Sequence, residues 1–504
     1  MNPAETPSAL SRRSTIASAN RSLPSASPLA WRLPSIETHP ALIAFVQTWP
    51  GKLLLFALFG ALMHTLGGHL WLETTLAACG VALAGRRRRQ AALVGTAALL
   101  VLGPQWFGFG AVRAALGQES LDAILRLGWV RAGTLLVFMP LAAASLYLAR
   151  RFRDHALLRR PVLVQHGLYL GLLALAASHA LPGVSAVLAW SLLAVFSAYF
   201  WFLAYALLDQ RRRQPQPLLL HLATFHPFFG SSPVPYGKGA NNWSRVEPKT
   251  AEELAVTQLK GLKLIVWALV LELVLRGFRR AVHAELGIPS LASAFESFLE
   301  TGQAPALALL SVVANFPEQL LGIAIWGHVI IATARIAGFR LLRNTWRPLS
   351  SRSIAEFWNR FYYYFKEILV DVYFYPTYLR WFKRHPRLRI AFATFMAAGV
   401  GNFFYHFVRD NDRIAELGLL EALVRSQTYA FYCLVLVGGI VLSQLRGRKP
   451  AADAGRLRGQ FLPALGVAVF FCFLSLFDGP GRHAALGQHF EFLLQVLGVA
   501  RWIG

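Results

Sequence analysis

The chain has 504 residues, 55% of them hydrophobic, with a mean hydropathy of +0.45, too apolar for an ordinary soluble domain, whose apolar share is about 45–50%. Fifty Lys and Arg oppose 25 Asp and Glu, a net charge of +25, which in a soluble protein would point to nucleic acid. Here the basic residues cluster between apolar runs, at Arg86 to Arg89, Arg150 to Arg160 and Arg211 to Arg213, as the cytoplasmic loops of membrane proteins do; a nucleic-acid partner is not expected.

Residues 1–37 are rich in Ser, Pro, Ala and Arg and hold no apolar core of signal-peptide length. They read as a disordered basic cytoplasmic tail. Apolar runs of bilayer length follow, such as GTLLVFMPLAAASLYLA and GLKLIVWALVLELVL. Helices are expected near 41–64, 68–85, 92–112, 130–149, 161–180 and 184–208, then near 258–278, 306–333, 387–408, 427–445, 459–477 and 485–503. Arg335 to Arg347, Arg380 to Arg389 and Arg446 to Arg458 then share a side with the earlier clusters. The result is an all-α polytopic membrane protein of about 12 transmembrane helices, with both termini cytoplasmic. Arg279 and Arg280 fall on the opposite side. Cys79, Cys433 and Cys472 sit singly in apolar segments, without metal-ligand spacing, and read as packing residues.

Two segments depart from simple spans. Residues 217–248 begin apolar and then break into Pro, Gly and Asn, which suggests a re-entrant or interfacial loop. In 353–376, Ile354, Phe357, Trp358, Phe361, Phe365, Ile368, Leu369 and Val372 form one stripe at helical spacing. Glu356, Asn359, Arg360, Lys366, Glu367 and Asp371 fill the other face, so this helix belongs in the interface or against the bundle. Ser353 with Glu356 makes a capping box, and Pro376 is expected to end the helix.

GVGNFFYHF (399–407) places a histidine, His406, inside an apolar run of membrane length, where an ionisable group is costly and functional by default. A histidine near the end of a span is also often a residue bonding a backbone carbonyl, and His64, His69, His179 and His328 are similarly placed. Asn315, Pro317 and Glu318 stand mid-span in ALLSVVANFPEQLLGIAIW, as substrate pathway or structural kink. No P-loop, GxSxG elbow or HExxH pair occurs.

Together these residues resemble the membrane-bound O-acyltransferase family, in its bacterial branch with the alginate O-acetylation and teichoic acid D-alanylation proteins. GFRLLRNTWRPLSSRSIAEFWNRF is similar to the branch's signature ahead of a Phe-Trp-x-Arg-Trp-His helix. FHPFFGSSPVPYGKGANNW looks like its upstream loop, and GVGNFFYHF falls where the family has its histidine. Tyr362 stands where the family's first histidine would be, Phe407 replaces the glycine after the second, and Ser232-Pro233-Val234 replaces Gly-Pro-Ile. The chain then divides into the tail (1–37), N-terminal helices (38–216), the core that the resemblance implies is acyltransferase-like (217–410) and C-terminal helices (411–504).

The implied activity is transfer of an acyl group, such as acetyl, from a thioester donor to a hydroxyl of an extracytoplasmic glycan or other envelope acceptor. The donor would be acyl-CoA or an acyl carrier protein, with no tightly bound cofactor and no metal. Such transfer needs a base with a pKa near neutrality, and His406 is the expected one. Asn402, four residues earlier on the same helical face, would hold the acceptor hydroxyl or polarise the acyl carbonyl. Asn359, Arg360, Tyr362 and Lys366 would contact substrate at a cytoplasmic mouth, Arg360 or Lys366 meeting a donor phosphate. Asn315 and Glu318 would line the pathway, with weaker expectations for Trp326, His328, Pro233 and Tyr236. The bilayer, the donor, a glycan acceptor and a partner acyltransferase are the expected partners, and the bacterial inner membrane the expected location. The competing reading is a non-catalytic transporter or assembly factor on a degenerate acyltransferase fold.

Overall fold

The computed structural model describes residues 34–101, 129–446 and 455–499, apart from positions 69, 179, 213, 226, 231–233, 456, 480, 482 and 483. Most of the expected tail, Ser232, Pro233, His69, His179 and the end of the 92–112 helix lie outside the described residues.

Among the described residues the regular elements are all helical. They run α1 (Pro40–Gln47), α2 (Trp49–Leu66), α3 (Trp71–Leu83), α4 (Gly85–Val101), α5 (Trp129–Arg151), α6 (Pro161–Ala177), α7 (Gly183–Gln210), α8 (Leu218–Ala223), α9 (Ala240–Val246), α10 (Ala251–Arg279), α11 (Leu291–Thr301) and α12 (Ala308–Ile336). There follow α13 (Ile354–Phe361), α14 (Tyr363–Leu369), α15 (Pro386–Thr394), α16 (Asn402–Arg409), α17 (Asn411–Leu417), α18 (Leu419–Arg425), α19 (Gln427–Arg446), α20 (Leu462–Leu474) and α21 (Leu486–Val496). A π-helical stretch, Phe395–Gly401, joins α15 and α16 into one rod.

Seven stretches among the described residues are long and apolar enough to cross a membrane: Trp49–Leu66, Ala132–Arg151, Ser185–Gln210, Ala308–Ile336, Pro386–Arg409, Gln427–Arg446 and Leu457–Phe477. This composition is compatible with an integral membrane protein. All twelve expected stretches contain helix, but several do not reach span length. The 13 residues of α3 and the 11 of α21 extend only about 20 and 16 Å, against ~30 Å of hydrocarbon. α10, at 29 residues, is long enough. It carries Glu252, Glu253, Lys260, Lys263, Glu272, Arg276 and Arg279, too much charge for a lipid-facing helix.

Two apolar cores hold the helices together. The larger gathers α2, α3, α5 to α7, α10, the C-terminal half of α12, and α14 around Phe59, Trp201 and Trp243. The smaller joins α11, the first half of α12, α13 and α19 to α21 around Phe295, Phe357 and Phe492. α10 and α12 lie close because Gly261 faces α12: a Cβ there would stand 3.0 Å from the Arg335 Cβ and 3.1 Å from the Ala332 carbonyl.

The described residues of 217–246 pack into the protein, burying Phe225, Phe228, Phe229, Val234, Tyr236 and Trp243. Asp209 at the end of α7 accepts the Asn241 N–H at 3.0 Å. Non-helical backbone is thereby kept inside protein rather than against lipid.

The amphipathic segment is where the structure departs most from expectation. Its apolar stripe does face the bundle, with Phe357, Phe365, Ile368 and Leu369 buried. Ser353 caps the helix by accepting the Glu356 N–H at 3.1 Å, while Glu356 reaches back to the Arg352 N–H (2.8 Å) rather than to Ser353. A single helix through 376 is not formed. Tyr362, at φ −133° and ψ 72°, separates α13 from α14. The freed groups are taken by the segment just upstream: Trp346 N–H donates to Arg360 O (2.7 Å), Thr345 Oγ1 to Phe361 O (2.7 Å) and Tyr363 N–H to Asn344 O (2.9 Å). Nor does Pro376 end the helix. A π turn, Val370–Phe374, absorbs it, and the helix continues through Tyr375–Tyr378.

Candidate functional site

His406 sits one turn from the end of the Pro386–Arg409 rod, where the two cores meet. Tyr405 and Val408 belong to the larger core, and Ala398 and Tyr429 to the smaller. The π stretch just before α16 shifts the register of the helix, and such bulges concentrate at functional positions. It is shaped by Gly401, where a Cβ would lie 2.5 Å from the Tyr373 ring. Tyr373 donates its hydroxyl to His166 Nε2 at 2.7 Å, while His166 Nδ1–H donates to Val162 O at 2.6 Å. His166 stacks on Phe404 at 4.7 Å. This His–Tyr pair is a structural brace on the outer side of α16.

On the inner side, Tyr429 of α19 joins the two residues singled out from sequence. Its ring packs 4.3 Å from the His406 ring, and its hydroxyl donates to Asn402 Oδ1 at 3.1 Å. Asn402 is buried, so this bond fixes its amide and directs its N–H groups. His406, Tyr429 and Asn402 form one cluster spanning two helices.

His406 and Tyr429 open on a cavity of about 30 Å³, room for about two water molecules. Phe403, His406, Phe407, Asp410, Arg413, Ile414, Ala422, Ser426 and Tyr429 line it. Short helices α17 and α18 form its roof. They are pinned by Asn411, which donates to Ser197 Oγ at 3.0 Å, and by buried Ile414 and Ala422. Arg409 holds Asp410 through both carboxylate oxygens, at 2.8 and 3.3 Å. The cavity thus combines an imidazole, two hydroxyls, a carboxylate and a guanidinium with apolar walls.

From His406 an aromatic column leads into the protein. Tyr405 packs on Phe365 (4.6 Å), Phe365 on Tyr362 (5.5 Å), and Tyr362 hydrogen-bonds Tyr236. At the column's far end stands a charge cluster. Lys238, in the left-handed conformation at φ 63°, bonds Glu367 and reaches Asp371 Oδ2 at 3.2 Å. Tyr205 donates to Asp371 at 3.3 Å, and Lys366 pairs with Glu367 at 2.7 Å. Burial opposes ionisation of Glu367, yet Lys366 and Lys238 outweigh it and hold its carboxyl below its usual value. Burial dominates at Asp371 and pushes it up, against the pull of Lys238.

The other expected site residues are distributed differently. Asn359 is exposed. Arg360 pairs with Glu356 at 2.5 Å and donates to Ser350 at 2.6 Å, so it closes its own helix turn. Lys366 also lies over the Tyr363 ring. Asn315 donates to Ser475 at 3.1 Å, and Glu318 bonds Arg279 (3.0 Å) and His283 (2.7 Å). Both therefore serve helix contacts of α12. Trp326 is exposed, and His328 is buried against its own helix through Ala324 O. Tyr429, Arg413 and Ser426 were not anticipated, because they come from a neighbouring span and a connection that carry no motif. No protein-family model matches the chain, and comparison with curated proteins finds no match either.

Proposed function

We propose that the protein is a membrane-bound O-acyltransferase that moves an acyl group, such as acetyl, from a thioester to a hydroxyl of an extracytoplasmic glycan or similar envelope acceptor. The observation that carries this reading is that His406 and Tyr429 line one cavity, with the buried Asn402 bonded to the Tyr429 hydroxyl. His406 takes the proton of the attacking hydroxyl as the new ester bond forms. The Asn402 amide, oriented by Tyr429, donates to the acyl carbonyl as its oxygen gains charge. The thiol leaves, and the proton on His406 passes to it.

The charge pattern of the loops supports a bacterial inner membrane location with both termini cytoplasmic. It also puts His406 toward the extracytoplasmic side, so an acyl-CoA or acyl carrier protein made in the cytoplasm would be engaged from the opposite face. The aromatic column past Tyr405, Phe365 and Tyr362 marks the route by which an acyl chain would be handed on. Lys366, in the charge cluster at the column's far end, would meet a donor phosphate.

A non-catalytic transporter or assembly factor is favoured by one observation: the cavity of about 30 Å³ is too small for a sugar, and Phe407 occupies part of its wall. The deciding measurement is transfer of radiolabelled acetyl to envelope glycans in cells with wild type or His406→Ala at matched protein levels. Loss of label in the variant alone supports transfer with His406 at its centre. Equal label in both removes His406 as the base, and no label in either favours the non-catalytic reading.

A further inference from the structure

Arg413 is the cation of the cavity lining, and the proposed chemistry leaves it unused. It lies on α17, whose place is set by Asn411 on Ser197 and by buried Ile414, so its backbone is held beside the cavity. Its Nε is shielded from solvent and has no hydrogen-bond partner among the described residues. A shielded donor of that kind is costly when unsatisfied and calls for an occupant. Asp410, the carboxylate in the same lining, is spanned by Arg409. Arg413 lies in the same lining, beside His406 and Tyr429.

We propose that Arg413 binds a carboxylate group at the mouth of the His406 cavity. The identification of that carboxylate as part of the acyl acceptor rests on the acyltransferase reading above. Three features select a carboxylate. Nε and a terminal nitrogen of arginine form a planar fork matched to two coplanar oxygens. A cavity of about 30 Å³ admits a flat three-atom head more readily than a tetrahedral phosphate. Phe403, Phe407 and Ile414 exclude water around the ion pair, which strengthens it. With the carboxylate on Arg413 and the rest of the acceptor outside, a neighbouring hydroxyl of the same molecule is presented to His406. Arg413 is then the residue that selects acidic acceptors over neutral ones.

The test uses the full-length protein in lipid nanodiscs and no acyl donor, so it reads binding independently of acyl transfer. Acetate is the probe, acetamide its neutral isostere and inorganic phosphate the competitor, with binding followed by saturation-transfer NMR. The expected result is saturation of acetate by wild type, reduced at least tenfold in Arg413→Gln and partly kept in Arg413→Lys. Acetamide should show no Arg413-dependent signal. Equal acetate signals in wild type and Arg413→Gln, with both eluting as monodisperse protein, overturn the proposal. So does displacement of acetate by phosphate at lower concentration than by unlabelled acetate. If acetate binds through Arg413 while His406→Ala retains acetyl transfer, the carboxylate site stands and the catalytic reading falls.

Discussion

Gly401→Ala is the sharpest probe of how the His406 helix is held. A Cβ at this position meets the Tyr373 ring at 2.5, 2.8 and 2.9 Å, closer than carbon atoms pack. Tyr373 cannot simply turn away, since its hydroxyl is bonded to His166 at 2.7 Å inside a cluster with Trp201 and Phe404. Overpacking costs about 1–3 kcal/mol, and a lost buried hydrogen bond adds about 1–2 kcal/mol. Alanine returns about 1 kcal/mol of helix propensity relative to glycine. The net is a destabilisation of about 1–4 kcal/mol. The assay is the thermal midpoint in detergent, read from the monodisperse fraction left after heating, for Gly401→Ala, Tyr373→Ala and the double variant. Removing the Tyr373 ring opens the space, so the alanine should cost much less in that background, a coupling of about 0.5–3 kcal/mol. A Gly401→Ala protein as stable as wild type, or an equal loss in both backgrounds, would refute the packing argument.

Three further outcomes follow from the same geometry. Tyr429→Phe strands the buried Asn402 carbonyl, costing about 1–3 kcal/mol. It should lower acyl transfer by freeing the Asn402 amide while His406 stays in place; unchanged turnover in a folded Tyr429→Phe protein would separate Asn402 from the chemistry. Lys238→Met leaves Glu367 and Asp371 facing each other. Given the partial exposure of these groups, the expected cost is about 2 kcal/mol, below the ~3–5 kcal/mol of breaking a fully buried pair. It should be recovered in part by Asp371→Asn in the same chain. His283 faces two acceptors, Ile288 O and Glu318, each at 2.7 Å, an arrangement that favours the protonated ring. The Ile288 carbonyl first, then Glu318, raise its pKa above the usual value against burial and Arg279. A raised folded-state pKa gives stability that is full below the unfolded value of about 6.5 and fades as pH rises through the folded one. The thermal midpoint of wild type should therefore exceed that of His283→Gln most at about pH 6 and least at about pH 9; a gap that widens with pH would contradict the assignment.

What could be read from sequence divides by the distance over which each feature is decided. The apolar runs and the stripe at 353–376 are local patterns, and the helices form there. The pairing of Asn402 with His406 is likewise local, one helical turn apart. The break at Tyr362 was hidden because helical spacing of the stripe continues across it. What opens the helix is the Asn344 to Trp346 segment, which takes the freed groups from outside. Tyr429 and Arg413 reach the site from other elements, and no spacing within 399–407 points to them. Lys238 meets its acids 129 and 133 positions away; the acids at 367 and 371, four apart, were a readable signal for a missing cation.

The clearest case joins two anomalies that a linear reading keeps apart. The charge pattern of the sequence puts Arg279 among the exceptions to the expected clustering of basic residues on one side, and Glu318 is an acid in an apolar helix. The structure joins them at 3.0 Å, with His283 completing the pair. Glu318 therefore needs no substrate to explain its cost, and Arg279 no change of topology. An unexplained charge in a membrane segment is first a demand for a partner from another helix. His406 differs from Glu318 in opening on a cavity, and it is this difference that the proposed acyl transfer rests on.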